Sequence, residues 1–246
     1  MIQKKYIAPN AITAANMLLG YLSIVSSIDG DYVKATWFII AAMVCDTLDG
    51  KTARKLDAFS EFGKEFDSFC DAISFGMAPG ILIFSILKVT VISKYMIPIS
   101  FIYALCGVMR LVKFNIVTTA SSEKDDFSGM PIPCGAALVV GYFLFCNTVR
   151  NSPFFGADLF SAELFSIISV VAAVLMVSLV PFRTPDKVFD FVPKKYFPIF
   201  LLAIVLTLKY SLFIFASYYV LVNLGDYLMK RNREEEEVEQ IEENKE

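Results

Sequence analysis

Long apolar runs, interrupted by short polar clusters, carry most of this 246-residue chain. A helix needs about 20 apolar residues to cross the hydrocarbon layer of a bilayer. On that scale the runs at 11–28, 33–55, 64–87, 93–118, 133–149, 162–181, 196–208 and 210–229 predict eight membrane spans. The last two are short, and Lys209 between them favours a tight hairpin over one long helix. The expected fold class is therefore all-α, a polytopic helical bundle integral to a membrane. Residues 1–230 form the transmembrane domain, and 231–246 form an acidic cytoplasmic tail, a solvated charge run.

Two of these runs break the apolar pattern with acids. Asp46, Asp49, Gly50 and Ala53 recur at i, i+3, i+4 and i+7, one face of a helix. Gly63, Asp67 and Asp71 recur at i, i+4 and i+8, one face of the next. Facing each other, the two helices bring the four aspartates together with small residues between them. Carboxylates in a lipid setting are costly without a compensating cation. Like charges at one point repel unless divalent metal holds them, and the small residues leave room for a ligand beside it. The bland alternative is a set of stray acids facing a solvated cavity. Gly50, Ala53 and Gly63 could likewise serve close helix packing alone.

Composition supports the membrane reading: 56% of residues are hydrophobic, 23 are Phe and mean hydropathy is +0.59. The net charge of −3 owes much to the glutamates after Arg233, so the body is basic, as suits a protein beside anionic head groups. The basic residues are distributed unevenly. Lys4, Lys5, Lys51, Arg54, Lys55, Lys64, Arg110, Lys113, Lys124, Arg183, Lys187, Lys194, Lys195 and those after Met229 fall on one side of an eight-span map. Lys34, Lys88, Lys94, Arg150 and Lys209 fall on the other. Positive charge marks the cytoplasmic side, so both termini and the aspartates are expected there, in the cytoplasmic (inner) membrane. No cleavable signal peptide is expected, because the first apolar run continues as a span. The cysteines, Cys45, Cys70, Cys106, Cys134 and Cys146, lie in or beside apolar runs and are expected to be buried free thiols. With no histidine in the chain, proton transfer near neutral pH falls to a carboxylate, a lysine, a tyrosine, a thiol or water.

The stretch Asp46-Thr-Leu-Asp49-Gly50-Lys-Thr-Ala53-Arg54, then Gly63-Lys-Glu-Phe-Asp67-Ser-Phe-Cys-Asp71, resembles the signature D-x2-D-G-x2-A-R-x8-G-x3-D-x3-D of the CDP-alcohol phosphatidyltransferase family. The resemblance implies that an alcohol attacks the lipid-side phosphorus of a CDP-linked lipid and CMP leaves. It implies two divalent cations, Mg²⁺ or Mn²⁺, on Asp46, Asp49, Asp67 and Asp71, and a homodimer. Asp71 matches a position assigned as metal ligand, general base or both, and in a chain without histidine it is the choice for the base. Gly50, Ala53 and Gly63 match small residues that let the nucleotide approach, and Arg54 matches an arginine that contacts the diphosphate. Pro9-Asn10 and Thr13 resemble an element bordering the cytidine pocket, although a proline followed by a polar residue also starts helices.

Three later segments, Ser74-Phe75-Gly76-Met-Ala78-Pro79, Arg110-Leu-Val-Lys113-Phe114-Asn115 and Phe127-Ser-Gly129-Met-Pro131-Ile-Pro133, are similar to the phosphatidylserine synthase branch of that family. That similarity implies CDP-diacylglycerol, or an ether analogue, and L-serine as substrates. Serine carries a carboxylate, so its site needs a fixed cation. Arg110, Lys113, Arg183 and Lys187, with Asn115, are candidates for holding the acceptor or the lipid phosphates. Anchoring to head groups is the competing role, weakest for Arg110 with its apolar neighbours. The same chemistry with glycerol 3-phosphate or an inositol phosphate is the alternative among enzymes. A cation transporter is the alternative outside them, and it predicts acids spread over several spans and depths. No nucleic-acid partner is expected.

Overall fold

The structure is a computed structural model, and it describes residues 4–120, 127–153, 156–183 and 207–243. A 3-10 turn, Lys4–Tyr6, runs directly into α1, Ile7–Ile28. The buried face of α1 is polar and small: Thr13, Asn16, Gly20, Ser23 and Ser27 point inward. Its exposed face is apolar, with Met17, Leu18, Tyr21, Val25 and Ile28. This inversion of the soluble pattern is what lipid selects, since apolar side chains gain nothing by leaving it and small ones let helices approach. Gly30, at φ +83°, turns the chain, and Asp31 caps α2, Tyr32–Leu56, by accepting from the Lys34 N–H at 3.2 Å.

α2 ends where Asp57 adopts the left-handed conformation (φ 47°) and Ala58 N–H returns to the Ala53 carbonyl at 2.9 Å. Ser60 then opens α3, Glu61–Asp71, its hydroxyl accepting from Gly63 N–H at 3.0 Å. Both caps are local, so the α2–α3 hairpin is set by residues 57–60. Lys5 ties the start of the chain to the same hairpin through the Asp57 carbonyl at 2.9 Å.

The expected span at 64–87 lies within one continuous helical run, Glu61–Lys88, that changes pitch midway. A π-helical turn, Ala72–Met77, separates α3 from α4, Ala78–Lys88. Pro79 explains the site of the change. It has no N–H, so the carbonyl four residues earlier, on Phe75, loses its helical partner. The fully buried Tyr103 donates its hydroxyl to that carbonyl at 3.3 Å. Tyr103 lies on α5, Met96–Ala120, which is followed by α6, Ile132–Arg150, and α7, Ala162–Val177. The last described helix, α8, is Leu208–Glu243. Phe75, Leu82, Tyr103, Val139, Phe165 and Met176, from the π turn and α4 to α7, form the centre of the core.

Among the described residues, five helical segments are long and apolar enough to cross a membrane: Ile7–Ile28, Glu61–Lys88, Ser93–Ile116, Ile132–Arg150 and Leu208–Arg233. The protein is a multi-pass helical membrane protein. Two expected spans differ from these in a way chemistry explains. α2 spans the length expected for 33–55 but carries Asp46, Asp49, Lys51, Arg54 and Lys55. The span expected at 162–181 is shorter, because the chain leaves α7 at Ser178 to form a strand, Pro181–Phe182 (β2). β2 pairs antiparallel with Phe127–Ser128 (β1), Phe127 opposite Phe182. The span expected at 196–208 lies almost wholly outside the described residues. The final one, 210–229, falls within α8.

Candidate functional site

Helical spacing and the 57–60 turn together place the aspartates. One carboxylate oxygen from each of Asp46, Asp49 and Asp67 lies within 4.8 Å of the other two. Asp49 Oδ2 and Asp67 Oδ1 are buried, with no hydrogen-bond partner among the described residues. Two unit charges about 4 Å apart repel by about 4 kcal/mol at a surface-like dielectric of roughly 20. A hydrogen bond returns about 1 kcal/mol. Neutral donors of the protein therefore cannot hold this trio, whereas a divalent cation can. All the donors are hard carboxylate oxygens, with no imidazole and no thiolate among them, the set that suits Mg²⁺ or Mn²⁺. These residues fit a metal.

Asp71 stands behind the trio, 8% exposed, its charge facing Asp46 and Asp67. Its Oδ1 accepts from Asn16 Nδ2 at 3.0 Å. The sequence carries Asn16 in plain view, but a single polar residue in an apolar run is easily passed over. The signal that could have found it is the repeat Thr13, Asn16, Gly20, Ser23, Ser27, a small and polar stripe at helical spacing.

A cavity of about 550 Å³ opens beside the carboxylates, within the size range of small-molecule sites. Asn10, Thr13, Asp49, Gly50, Ala53, Arg54 and Gly63 all line it, together with Ser60, Lys64 and Asp67. Small residues face it where bulk would obstruct. A side chain at Gly63 would come within 3.0 Å of the Ser60 hydroxyl and 3.5 Å of Asn10 Oδ1. The Arg54 guanidinium shares this cavity with Asp49 and Asp67 without forming an ion pair among the described residues.

The candidate basic residues lie on other elements. Asn115 on α5 donates to the Ser68 hydroxyl at 3.0 Å, which joins α5 to the face of α3 between Asp67 and Asp71. Arg110, 6% exposed, donates from Nε to the Met130 carbonyl at 3.2 Å and lies 5.5 Å from the Phe114 ring centre. Lys113 Nζ donates to the Ser178 carbonyl at 3.4 Å. Arg183 pairs with Asp226 of α8 at 3.0 Å, and its backbone is held by Asn223 and the Tyr219 hydroxyl. Lys187 lies outside the described residues. No carboxylate pairs with Arg110 among the described residues.

Gly129 is what ties this half together. It sits at φ +89°, and a Cβ there would run into the Met176 carbonyl and come within 3.1 Å of the Ser178 carbonyl. Only glycine lets the 127–131 segment bond the end of α7, Gly129 N–H to Val180 at 2.8 Å and Met130 N–H to Leu175 at 2.9 Å.

The acidic hairpin of this helical membrane protein thus stands beside a cavity large enough for a small-molecule ligand. The chain belongs to the CDP-alcohol phosphatidyltransferase family, whose model matches residues 6–180. It is 34% identical over 187 residues to the CDP-diacylglycerol–serine O-phosphatidyltransferase of Helicobacter pylori, covering 76% of each chain. The Bacillus subtilis enzyme of the same name is 40% identical over 143 residues, 56% of this chain and 76% of that one. The archaetidylserine synthase of Methanothermobacter thermautotrophicus is 34% identical over 181 residues, 72% of this chain and 70% of that one.

Proposed function

We propose that this protein transfers the phosphatidyl group of a CDP-linked lipid to the hydroxyl of L-serine and releases CMP. The observation that carries the reading is the cavity shared by Asp49, Asp67 and Arg54, walled by the small residues Gly50, Ala53 and Gly63. The names of the relatives supply the acceptor, serine, and divide over whether the donor is a phosphatidyl or an archaetidyl lipid. The acids lie on two consecutive helices beside one turn, which speaks against a transporter path.

In this reading Asp46, Asp49, Asp67 and Asp71 hold two divalent cations, Mg²⁺ or Mn²⁺. Cations held there would supply the charge that neutralises the diphosphate and polarises the reacting phosphorus. Asn10 and Thr13 border the cytidine, and Arg54 contacts the diphosphate. Asp71 takes the proton of the serine hydroxyl. Arg110 offers its guanidinium to the serine carboxylate, and Lys113, Asn115, Arg183 and Lys187 are the further candidates for the acceptor or the lipid phosphates. Eight spans keep both termini and the site on the cytoplasmic side, residues 1–230 form the catalytic domain with the tail outside it, and the enzyme works as a homodimer.

The test is CMP release by the purified chain with CDP-diacylglycerol, in the presence of L-serine, glycerol 3-phosphate, inositol phosphate or no alcohol. Release that depends on serine is expected. Release with another alcohol and none with serine would sink the assignment of the acceptor. The orientation has its own test: cysteines introduced at Lys124 and Glu246 should label from the cytoplasmic side, and one at Lys88 from the other.

A further inference from the structure

Asn16 is fully buried in the middle of a membrane helix, where an unpaired amide is expensive and an apolar residue would pack at no such cost. Its Nδ2 donates to Asp71 at 3.0 Å, while its Oδ1 has no hydrogen-bond partner among the described residues. The amide is thus placed for Asp71 rather than for its own satisfaction.

The placement of Asn16 is itself fixed from the Asp71 side. Its backbone carbonyl accepts from Ser74 Oγ at 3.0 Å, and Ser74 stands in the π turn that follows Asp71. One turn further along α1, Gly20 lies so close to this turn that an added Cβ would come within 2.7 Å of the Ser74 Cα. α1 and the π turn therefore meet backbone to backbone, and the donor cannot drift from the carboxylate it holds. The wider π turn is what brings Ser74 to this contact, a common use of such turns at functional sites.

We propose that Asn16 is a positioning residue for the transfer: it fixes the side-chain rotamer of Asp71 by holding one carboxylate oxygen, so that the other is presented to the reacting centre. This rests on the reading above that Asp71 serves in transfer. Asn16 touches no substrate in this scheme and acts only through Asp71.

The experiment is a double-mutant cycle on the full-length chain in detergent or nanodiscs, measuring CMP release with CDP-diacylglycerol and serine. N16L removes the donor while keeping the number of side-chain heavy atoms, and should lower kcat about tenfold, the worth of one buried hydrogen bond. KM for both substrates should stay within about threefold. The isosteric N16D replaces the donor by a like charge and should fall below N16A. In the N16L/D71N double variant, turnover should match D71N alone, because the amide then has no carboxylate to hold. Mn²⁺ binding followed by electron paramagnetic resonance gives a readout independent of turnover. N16L should weaken it by no more than D71N does.

Wild-type kcat in N16L beside an impaired D71N would overturn the positioning role and leave the role of Asp71 standing. So would a double variant lower than D71N by the full N16L factor, or Mn²⁺ binding lost in N16L and kept in D71N. Wild-type turnover in D71N would sink the Asp71 reading itself. Should N16L fail to fold, N16A carries the same predictions with less bulk.

Discussion

The acidic and basic halves of this polar region are built on opposite principles. On the α2–α3 hairpin, carboxylates converge and two of their buried oxygens have no hydrogen-bond partner among the described residues. Around α5, β1–β2 and α8, the cations are already engaged: Lys113 on Ser178, Arg183 on Asp226, and Arg110 through Nε on Met130. A buried charge that the fold leaves unmatched can be compensated only from outside the chain. A charge that the fold has matched is architecture first and a ligand second. The contrast is what the proposed reading, metal and nucleotide in the acidic half, would produce. It also singles out Arg110, whose guanidinium is hydrogen-bonded only through Nε among the described residues.

The harshest test of this contrast falls on the acids. Replacing Asp46, Asp49 or Asp67 by Ala should lower CMP release at least about a thousandfold, the scale of a Lewis-acid contribution of several kcal/mol. A chelator should do the same to the wild-type protein. Near-normal turnover in any one variant would mean that the trio is not a shared ligand set. Asp71→Asn should cost roughly a hundredfold in turnover, the scale of a general base. Collapse of Mn²⁺ affinity with turnover retained would make Asp71 a ligand only.

How legible each half was in the sequence follows from the same contrast. The aspartates announce themselves because charge in an apolar run is anomalous, and their helical spacing translates directly into one shared face. The turn at 57–60 between them also uses local signals, the Ser60 cap and an aspartate at the helix end, Asp57, a residue that tolerates the left-handed conformation. The basic half is held by backbone carbonyls of Met130, Ser178 and Val180, and a carbonyl belongs to every residue alike. No side-chain pattern could point to them. The π turn was hidden for a related reason: Pro79 is visible, but how its lost hydrogen bond is absorbed depends on Tyr103, 24 residues away on another helix. Asn16 lay between these cases, conspicuous in type yet uninformative until Asp71 was placed beside it.

If the basic half is architecture first, its weak point is Gly129 rather than any cation. Gly129→Ala puts a Cβ against the Met176 carbonyl at a left-handed φ. It should destabilise the fold by about 1–3 kcal/mol, the cost of a strained backbone position. Thermal unfolding of the detergent-solubilised protein would register the loss. An unchanged melting temperature would mean that the β1–β2 clamp contributes little.

Arg110→Lys probes the exception. Lysine keeps the charge but cannot offer the planar fork that matches a carboxylate. KM for serine should rise about tenfold, with KM for CDP-diacylglycerol little changed, which locates the contact on the acceptor. A rise for the lipid instead would move Arg110 to the phosphates. Unaltered kinetics with a lower melting temperature would return it to the architectural set.

The smallest expected effect discriminates most finely. Arg183 and Asp226 pair at 3.0 Å with side chains 46% and 29% exposed, and Asp226 Oδ2 makes no aligned hydrogen bond there. A partly exposed pair of this kind is worth at most about 1 kcal/mol. Asp226→Asn should therefore lower stability by less than that and leave both KM values unchanged, provided the pair is purely structural. If Arg183 is instead shared with an anionic substrate, Asp226 competes for the same guanidinium. Removing its charge would then lower the KM of that substrate, and the substrate whose KM falls would be the one Arg183 serves. The two outcomes differ in the sign of an affinity change as well as its size, so a modest effect still separates them.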